Sequence, residues 1–379
     1  MNRFARLIFY LLFFSSLIFA QETEHPKNII LLIGDGMGLN YVAADVLKYN
    51  NSPFKRFSTV GLAITKSIDD LITDSAAAAT AIATGYPTKN RYIAMDTSYN
   101  KLYTIFEHAE KLGLSTGIVV TDAVVGATPA AFVTHHYNRS EKREIAEQFL
   151  DIDIDVVIGG GAKYFLPADL RHSDKEEMNL AEELKSKGYN FYYDFDGLSK
   201  SVSSDKVFAL LDNEGLPKAS DRDYSLGDLT SHALEHLSTN EKGFLLMVEG
   251  AHIDWAGHDE NAAYLLSEMD DFSTVLKVAI DFAEKEGNTL VIATADHETG
   301  GMAITDGSFD GENLKIEFLN SHHTAGFVGV FAYGPGEKLF GGIYENYLIG
   351  RNIFHLMDAS YQFLPNRSLP THYQIKKSR

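Results

Sequence analysis

The fold this sequence predicts is a three-layer α/β sandwich, with a central mainly parallel β-sheet flanked by helices. Two observations predict it: strand-length apolar runs that do not alternate, and amphipathic helical segments between them. A third limits it to one domain, because no repeat, low-complexity tract or Pro/Ser-rich linker interrupts the pattern. In chain order the runs fall at 28–33 (NIILLI), 117–121 (GIVVT), 155–158 (DVVI), 207–211 (VFALL), 244–248 (FLLMV), 289–293 (TLVIA) and 327–332 (FVGVFA). Strands covered on both faces need apolar side chains on both sides, which explains the missing alternation. Helix-period segments lie at 102–112, 142–150, 226–237, 261–286 and 345–357. Residues 21–379 therefore read as one domain. Segments 162–225 and 298–322, more polar and less periodic, are expected as peripheral insertions.

Composition excludes several functions. Of 379 residues, 45% are hydrophobic and only 9 are proline, enough apolar material for a large core. Lys and Arg number 33 against 52 Asp and Glu, a net charge of −19. Such a surface repels a phosphate backbone, so stable nucleic-acid binding is not expected. With no cysteine, disulfides, thiolate nucleophiles and Cys-held zinc or iron–sulfur sites are excluded. Any metal must be held by His, carboxylates and other oxygen ligands.

Ahead of the first strand, Arg3 and Arg6 flank the apolar run 7–20 (LIFYLLFFSSLIFA), and polar QETEHPKN follows. This reads as a signal peptide over residues 1–20, cleaved after Ala20. As an uncleaved anchor the run falls short of the about 20 residues a bilayer span needs. Cleavage removes two Arg and no acid, taking the net charge from −19 to −21. The mature chain is expected to be exported, periplasmic or secreted, with no membrane attachment.

In a parallel sheet, ligands collect beyond the carboxyl ends of the strands. There this chain places Asp35 after NIILLIG, Glu249 after FLLMV, and Asp296-His297 after TLVIATA. Asp35 lies between Gly34 and Gly36; alone, that is a tight turn with a helix cap. Ser75, preceded by Asp74, opens an Ala-rich helical segment, where free N–H groups and the positive dipole end suit an anion such as phosphate. By itself it reads as the N-cap of a small-residue packing helix. Asp254 and His258 are four apart, so a helix sets them on one face, where they can share a metal. His323 could complete such a site from a distance; adjacent His322 shows that residue type alone does not select the ligand.

Together these stretches resemble the alkaline phosphatase family. The resemblance rests on Asp35-Gly36-Met37-Gly38, Asp74-Ser75-Ala76-Ala77, Ala127-Thr128-Pro129-Ala130-Ala131, Val248-Glu249-Gly250 with Asp254 and His258, Thr294-Ala295-Asp296-His297, and His323-Thr324 before Ala332-Tyr333-Gly334-Pro335. They occur in the family's order across nearly the whole mature chain. The resemblance implies two Zn2+ and one Mg2+. One zinc would be held by Asp254, His258 and His323, the other by Asp35, Asp296, His297 and the Ser75 oxygen. The Mg2+ would take Asp35, Thr128 and Glu249. His-plus-carboxylate sets suit zinc and an all-oxygen set suits magnesium. It further implies Ser75 as nucleophile through a covalent phosphoserine, Arg139 as the phosphate grip, broad phosphate-monoester substrates with inorganic phosphate as product, and a homodimer. Two positions depart from the pattern: Gly126, where many members carry Asp or His near the magnesium, and Trp255, where others use Lys or His. Looser magnesium binding and easier phosphate release are expected. A sulfatase is disfavoured, because Ser75 is followed by alanines and no Cys exists. A phosphodiesterase of the same superfamily is the alternative enzyme, and a non-catalytic phosphate or metal scavenger the alternative from another class.

Overall fold

Fourteen strands occur in the computed structural model, which describes residues 25–166, 179–203 and 205–363. They are β1 (Asn28–Gly34), β2 (Thr59–Ile64), β3 (Ser115–Ala123), β4 (Val156–Gly160), β5 (Tyr189–Tyr192), β6 (Lys206–Leu210), β7 (Phe244–Gly250), β8 (Thr289–Thr294), β9 (Glu298–Thr299), β10 (Ala303–Asp306), β11 (Lys315–Glu317), β12 (His323–Thr324), β13 (Val328–Tyr333) and β14 (Gly342–Glu345). Ten form one sheet in the order β14-β2-β13-β8-β1-β7-β3-β4-β6-β5. Every neighbouring pair is parallel except those of β13, which runs antiparallel to both β8 and β2. The apolar runs coincide with β1, β3, β4, β6, β7, β8 and β13. They pass over β2 and β14, whose side chains are partly exposed and so not uniformly apolar. The most central strands, β1, β7 and β8, are buried along their whole length.

Helices cover the sheet in two groups. Leu226–Leu237 packs on the 25-residue helix Ala262–Glu286, and these two lie against β3 and β8. Ser75–Thr84, Ile105–Leu112, Ala127–Val133 and Tyr347–Met357 pack on one another in the second group. Ser75–Thr84 is buried throughout, which its alanines permit because small side chains let neighbouring helices approach. Its start is set by Asp74, whose carboxylate accepts from the Ala77 N–H at 2.9 Å. Within 162–225, expected as periphery, β5 and β6 extend the main sheet to one edge. Within 298–322, the β10–β11 hairpin stands apart, while β9 pairs with β12. The leader at 1–20 lies outside the described residues. Among the described residues, no helix is long and apolar enough to cross a membrane.

Candidate active site

The parallel register of β8, β1 and β7 brings three acid-bearing strand ends side by side. Ile33 pairs with Glu249 on one side and Thr294 on the other, so Asp35, Glu249 and Asp296 leave neighbouring strands together. The short helix His252–His258 follows β7 and carries Asp254 and His258. Gly36 admits that helix: its φ is +70°, and a Cβ there would stand 2.9 Å from both the Cα and Oδ1 of Asp254. His323 arrives on β12, which pairs with β9 so that His323 faces Thr299, two residues past His297. The same pairing leaves His322 exposed and selects His323.

His297 is the hub of one donor group. Its Nε2 lies 3.3 Å from Ser75 Oγ, 3.3 Å from Asp35 Oδ1 and 3.2 Å from Asp296 Oδ2. A second group surrounds His258 Nε2, 3.2 Å from Asp254 Oδ2 and 3.2 Å from His323 Nε2, with His323 Nε2 3.6 Å from Asp254 Oδ1. Ligands about 2.0–2.1 Å from a tetrahedral zinc are about 3.3 Å from each other, so both sets have the spacing of zinc-coordination edges. The far nitrogens are already occupied. His258 Nδ1 bonds Ser321 O at 2.7 Å and His323 Nδ1 bonds Thr73 O at 2.9 Å, which directs both Nε2 lone pairs inward. Asp254 belongs to both groups, since its ligand atom also lies within 4.8 Å of those of Asp35 and His297. The Thr299 hydroxyl, bonded to Asp254 Oδ1, is a contributor that no sequence motif marks.

A third corner is all oxygen. Glu249 Oε2 and Thr128 Oγ1 are buried without a hydrogen-bond partner, as are Asp35 Oδ1 and Asp296 Oδ2. Buried oxygens are rarely left so, and these four belong to residues whose type suits a cation. The electrostatics agree. Burial, followed by repulsion from Asp296, Asp254 and Glu249, holds the Asp35 carboxyl well above its ordinary value. Burial, followed by Asp122, does the same to Glu249. The hydrogen bond that its ring donates to Asp254 pushes His258 up to about 9. Four acids packed this closely lack positive charge, and divalent cations would supply it. The donor set therefore fits the metals that the sequence resemblance implies.

Arg139 stands at the open side with the half-buried His258 and His323. Its Nη1 donates to Asp74 Oδ2 at 3.1 Å. Burial opposes its charge, but Asp74, then Asp35 and Asp296, sustain it. Asp74 thus has two tasks, capping the Ser75 helix with one oxygen and tethering Arg139 with the other. All ten residues singled out in the sequence converge on this one end of the sheet. Trp255, on the same short helix, is 36% exposed, and its ring lies against His252 with centroids 4.1 Å apart.

Known proteins share this arrangement of sequence and fold. A family model for alkaline phosphatase matches residues 26–317, and of the candidate residues only His323 lies beyond it. The chain is 40% identical over 304 residues to alkaline phosphatase 4 of Bacillus subtilis, covering 75% of this chain and 64% of that protein. It therefore spans a little under two-thirds of that relative's length. It is 32% identical over 408 residues to the alkaline phosphatase of Escherichia coli, covering 88% and 86%. Among solved structures, the alkaline phosphatase of the Antarctic bacterium TAB5 is similar with a TM-score of 0.81 at 35% identity, covering 88% of this chain and 98% of that one. That of Thermus thermophilus shares the fold, with a TM-score of 0.80 at 21% identity.

Proposed function

The chain belongs to the alkaline phosphatase family, and on that premise we propose that it hydrolyses phosphate monoesters of broad structure through a phosphoserine on Ser75. The observation carrying this reading is the convergence of Ser75 Oγ, Asp35 Oδ1 and Asp296 Oδ2 within 3.3 Å of one imidazole nitrogen, His297 Nε2. Asp254, His258 and His323 would hold one Zn2+; Asp35, Asp296, His297 and Ser75 a second; and Asp35, Thr128 and Glu249 one Mg2+. Two variants of the TAB5 enzyme, with a histidine replaced by Glu or Asp, carry bound Mg, which supports an oxygen-liganded cation here. When bound, such cations stabilise developing oxyanions and favour the ionised forms of hydroxyl and water.

The residues divide the chemistry between them. Ser75 Oγ forms a bond to phosphorus as the bond to the alcohol oxygen breaks; the alcohol leaves with that electron pair and takes up a proton. A water then attacks the phosphoserine from the vacated side, the P–Oγ bond breaks, and Ser75 regains its proton as inorganic phosphate departs. Arg139, tethered by Asp74, presents its guanidinium fork to two non-bridging oxygens. The positive end of the Ser75–Thr84 helix adds backbone N–H donors at the same place. Nothing beyond the phosphoryl group needs recognition, which favours broad specificity. Export rests on the leader at 1–20, and a homodimer on the family resemblance.

Hydrolysis of p-nitrophenyl phosphate at alkaline pH tests this, measured before and after chelation and again with zinc and magnesium returned. Chelator-sensitive turnover restored by both metals supports it. Turnover that survives in Ser75→Ala, or that is faster on bis-p-nitrophenyl phosphate, overturns it; the latter favours the diesterase.

A further inference from the structure

Gly126 sits between the end of β3 and the helix Ala127–Val133 that carries Thr128. It is the N-cap of that helix yet offers no capping side chain. A Cβ at this position would collide with Asp122 Oδ2 and stand 2.9 Å from Ala123 O. The space of a residue-126 side chain is thus taken by the carboxylate of a residue four positions earlier.

Asp122 reaches that point for a simple reason. In the parallel pairing of β3 with β7, Val120 is opposite Glu249. Asp122 lies two residues further toward the strand end, in the stretch between Val119 and Ala123 where the pairing of β3 with β4 is irregular. There its charge acts on Glu249 more strongly than any other group. Its two oxygens are in different surroundings: Oδ1 accepts from the Ala123 N–H at 2.6 Å, while Oδ2 faces Gly126. Lys142 and Arg139 are the cations that act on it. Lys142 is itself anchored, donating to Val125 O at 3.0 Å. An acid so placed, beside the partnerless Glu249 Oε2 and Thr128 Oγ1, lies where a divalent cation's oxygen ligands take their outer support.

We propose that Asp122 is the positioning carboxylate of the Glu249–Thr128 corner, supplying from β3 the support that residue 126 cannot, and that residue 126 is glycine because this carboxylate occupies its space. The inference rests on the phosphatase reading, in which that corner takes Mg2+. Lys142 and Arg139 balance the added charge.

Calorimetric titration of Mg2+ into the zinc-loaded protein tests this independently of turnover. Asp122→Asn is expected to weaken Mg2+ binding by about 10- to 100-fold, the usual range for outer-shell partners, with zinc content unchanged. Moving the carboxylate back, in the double variant Asp122→Ser with Gly126→Asp, is expected to recover most of the loss, which a merely structural role for Asp122 does not predict. Gly126→Ala keeps Asp122 but displaces it, so it gives the same loss even where Asp122→Asn folds poorly. Mg2+ affinity in Asp122→Asn within about twofold of the parent overturns the inference and leaves the phosphatase reading intact. A parent that neither binds Mg2+ nor hydrolyses p-nitrophenyl phosphate overturns that reading and the inference with it.

Discussion

Two clusters of buried charge adjoin one seven-residue helix, His252–His258, and they are built on opposite principles. At the His252 end, Arg222 is 1% exposed in its side chain and is met at every turn. It donates to Asp271 Oδ2 at 2.6 Å and to Pro217 O at 2.9 Å, while Asp271 Oδ1 accepts from the Leu226 N–H at 2.9 Å. Glu268 accepts from the Ala219 N–H at 2.8 Å, and His252 Nδ1 is bonded to the Tyr264 hydroxyl at 2.6 Å. Only His252 Nε2 is left over. Around Asp254, four carboxylates and three imidazoles crowd together, and four oxygens of that site have no hydrogen-bond partner. A buried charge that serves stability is neutralised within the protein; one that is left unpaired is kept for something that comes from outside.

The largest effect that sharpens this contrast is in activity. Ser75→Ala is expected to lower p-nitrophenyl phosphate turnover by roughly 10⁴-fold or more, as loss of a nucleophile does, with melting temperature nearly unchanged. Asp271→Asn should do the reverse. It leaves Arg222 buried and short of a counter-charge, at about 3–5 kcal/mol of stability in a denaturant titration, with turnover per folded molecule retained. Equal stability of that variant and the parent would break the contrast.

A pH comparison follows. In the metal-free protein the raised carboxyls of Asp35 and Glu249 stabilise the fold while protonated. That contribution is lost as pH climbs above about 4, the ordinary carboxylate value, toward the folded values. His258, pushed up to about 9, adds in the same direction: its contribution is full below about 6.5 and gone above 9. Glu268, raised by burial to about 7, declines likewise in both metal-free and metal-loaded protein, so it cancels between them. Calorimetric melting temperatures of chelated protein should thus fall from acid to alkaline pH more steeply than those of metal-loaded protein. Parallel curves for the two would mean that the acid cluster does not await a cation.

The smallest effect concerns Trp255, which stands between the two clusters with its ring on His252 rather than toward the acids. Trp255→Lys adds a cation beside the phosphate site and should tighten product inhibition several-fold, by about 1 kcal/mol at so exposed a position. An unchanged inhibition constant for inorganic phosphate would assign the ring to packing alone.

Much of this was legible from local pattern, because a doubly covered strand demands apolar residues on both sides and a helix demands its period. Hence β1, β7 and β8 stand out as continuous runs, and the helix at Leu226–Leu237 has the bounds its periodicity implies. The candidate residues were legible for a different reason. Asp35, Glu249 and Asp296 sit just past those runs, where chain direction alone puts them at one end of a parallel sheet. Strand order was not legible: nothing local says that β13 runs antiparallel or that β5 and β6 extend the sheet rather than decorate it.

The places of Asp35, Glu249, Asp296 and His297 at one end of the sheet were therefore set by the sequence itself, because residue type and strand direction are local properties. Contacts between segments far apart in the chain needed the fold. His323 is chosen over His322 by the pairing of β12 with β9. Asp254 joins both donor groups because Gly36 lets its helix close in. Asp122, in no motif, reaches the site where β3 runs irregularly past its last pair with β7, Val120 opposite Glu249. Each depends on which residues the sheet brings within a few ångströms, a distance that sequence spacing does not encode.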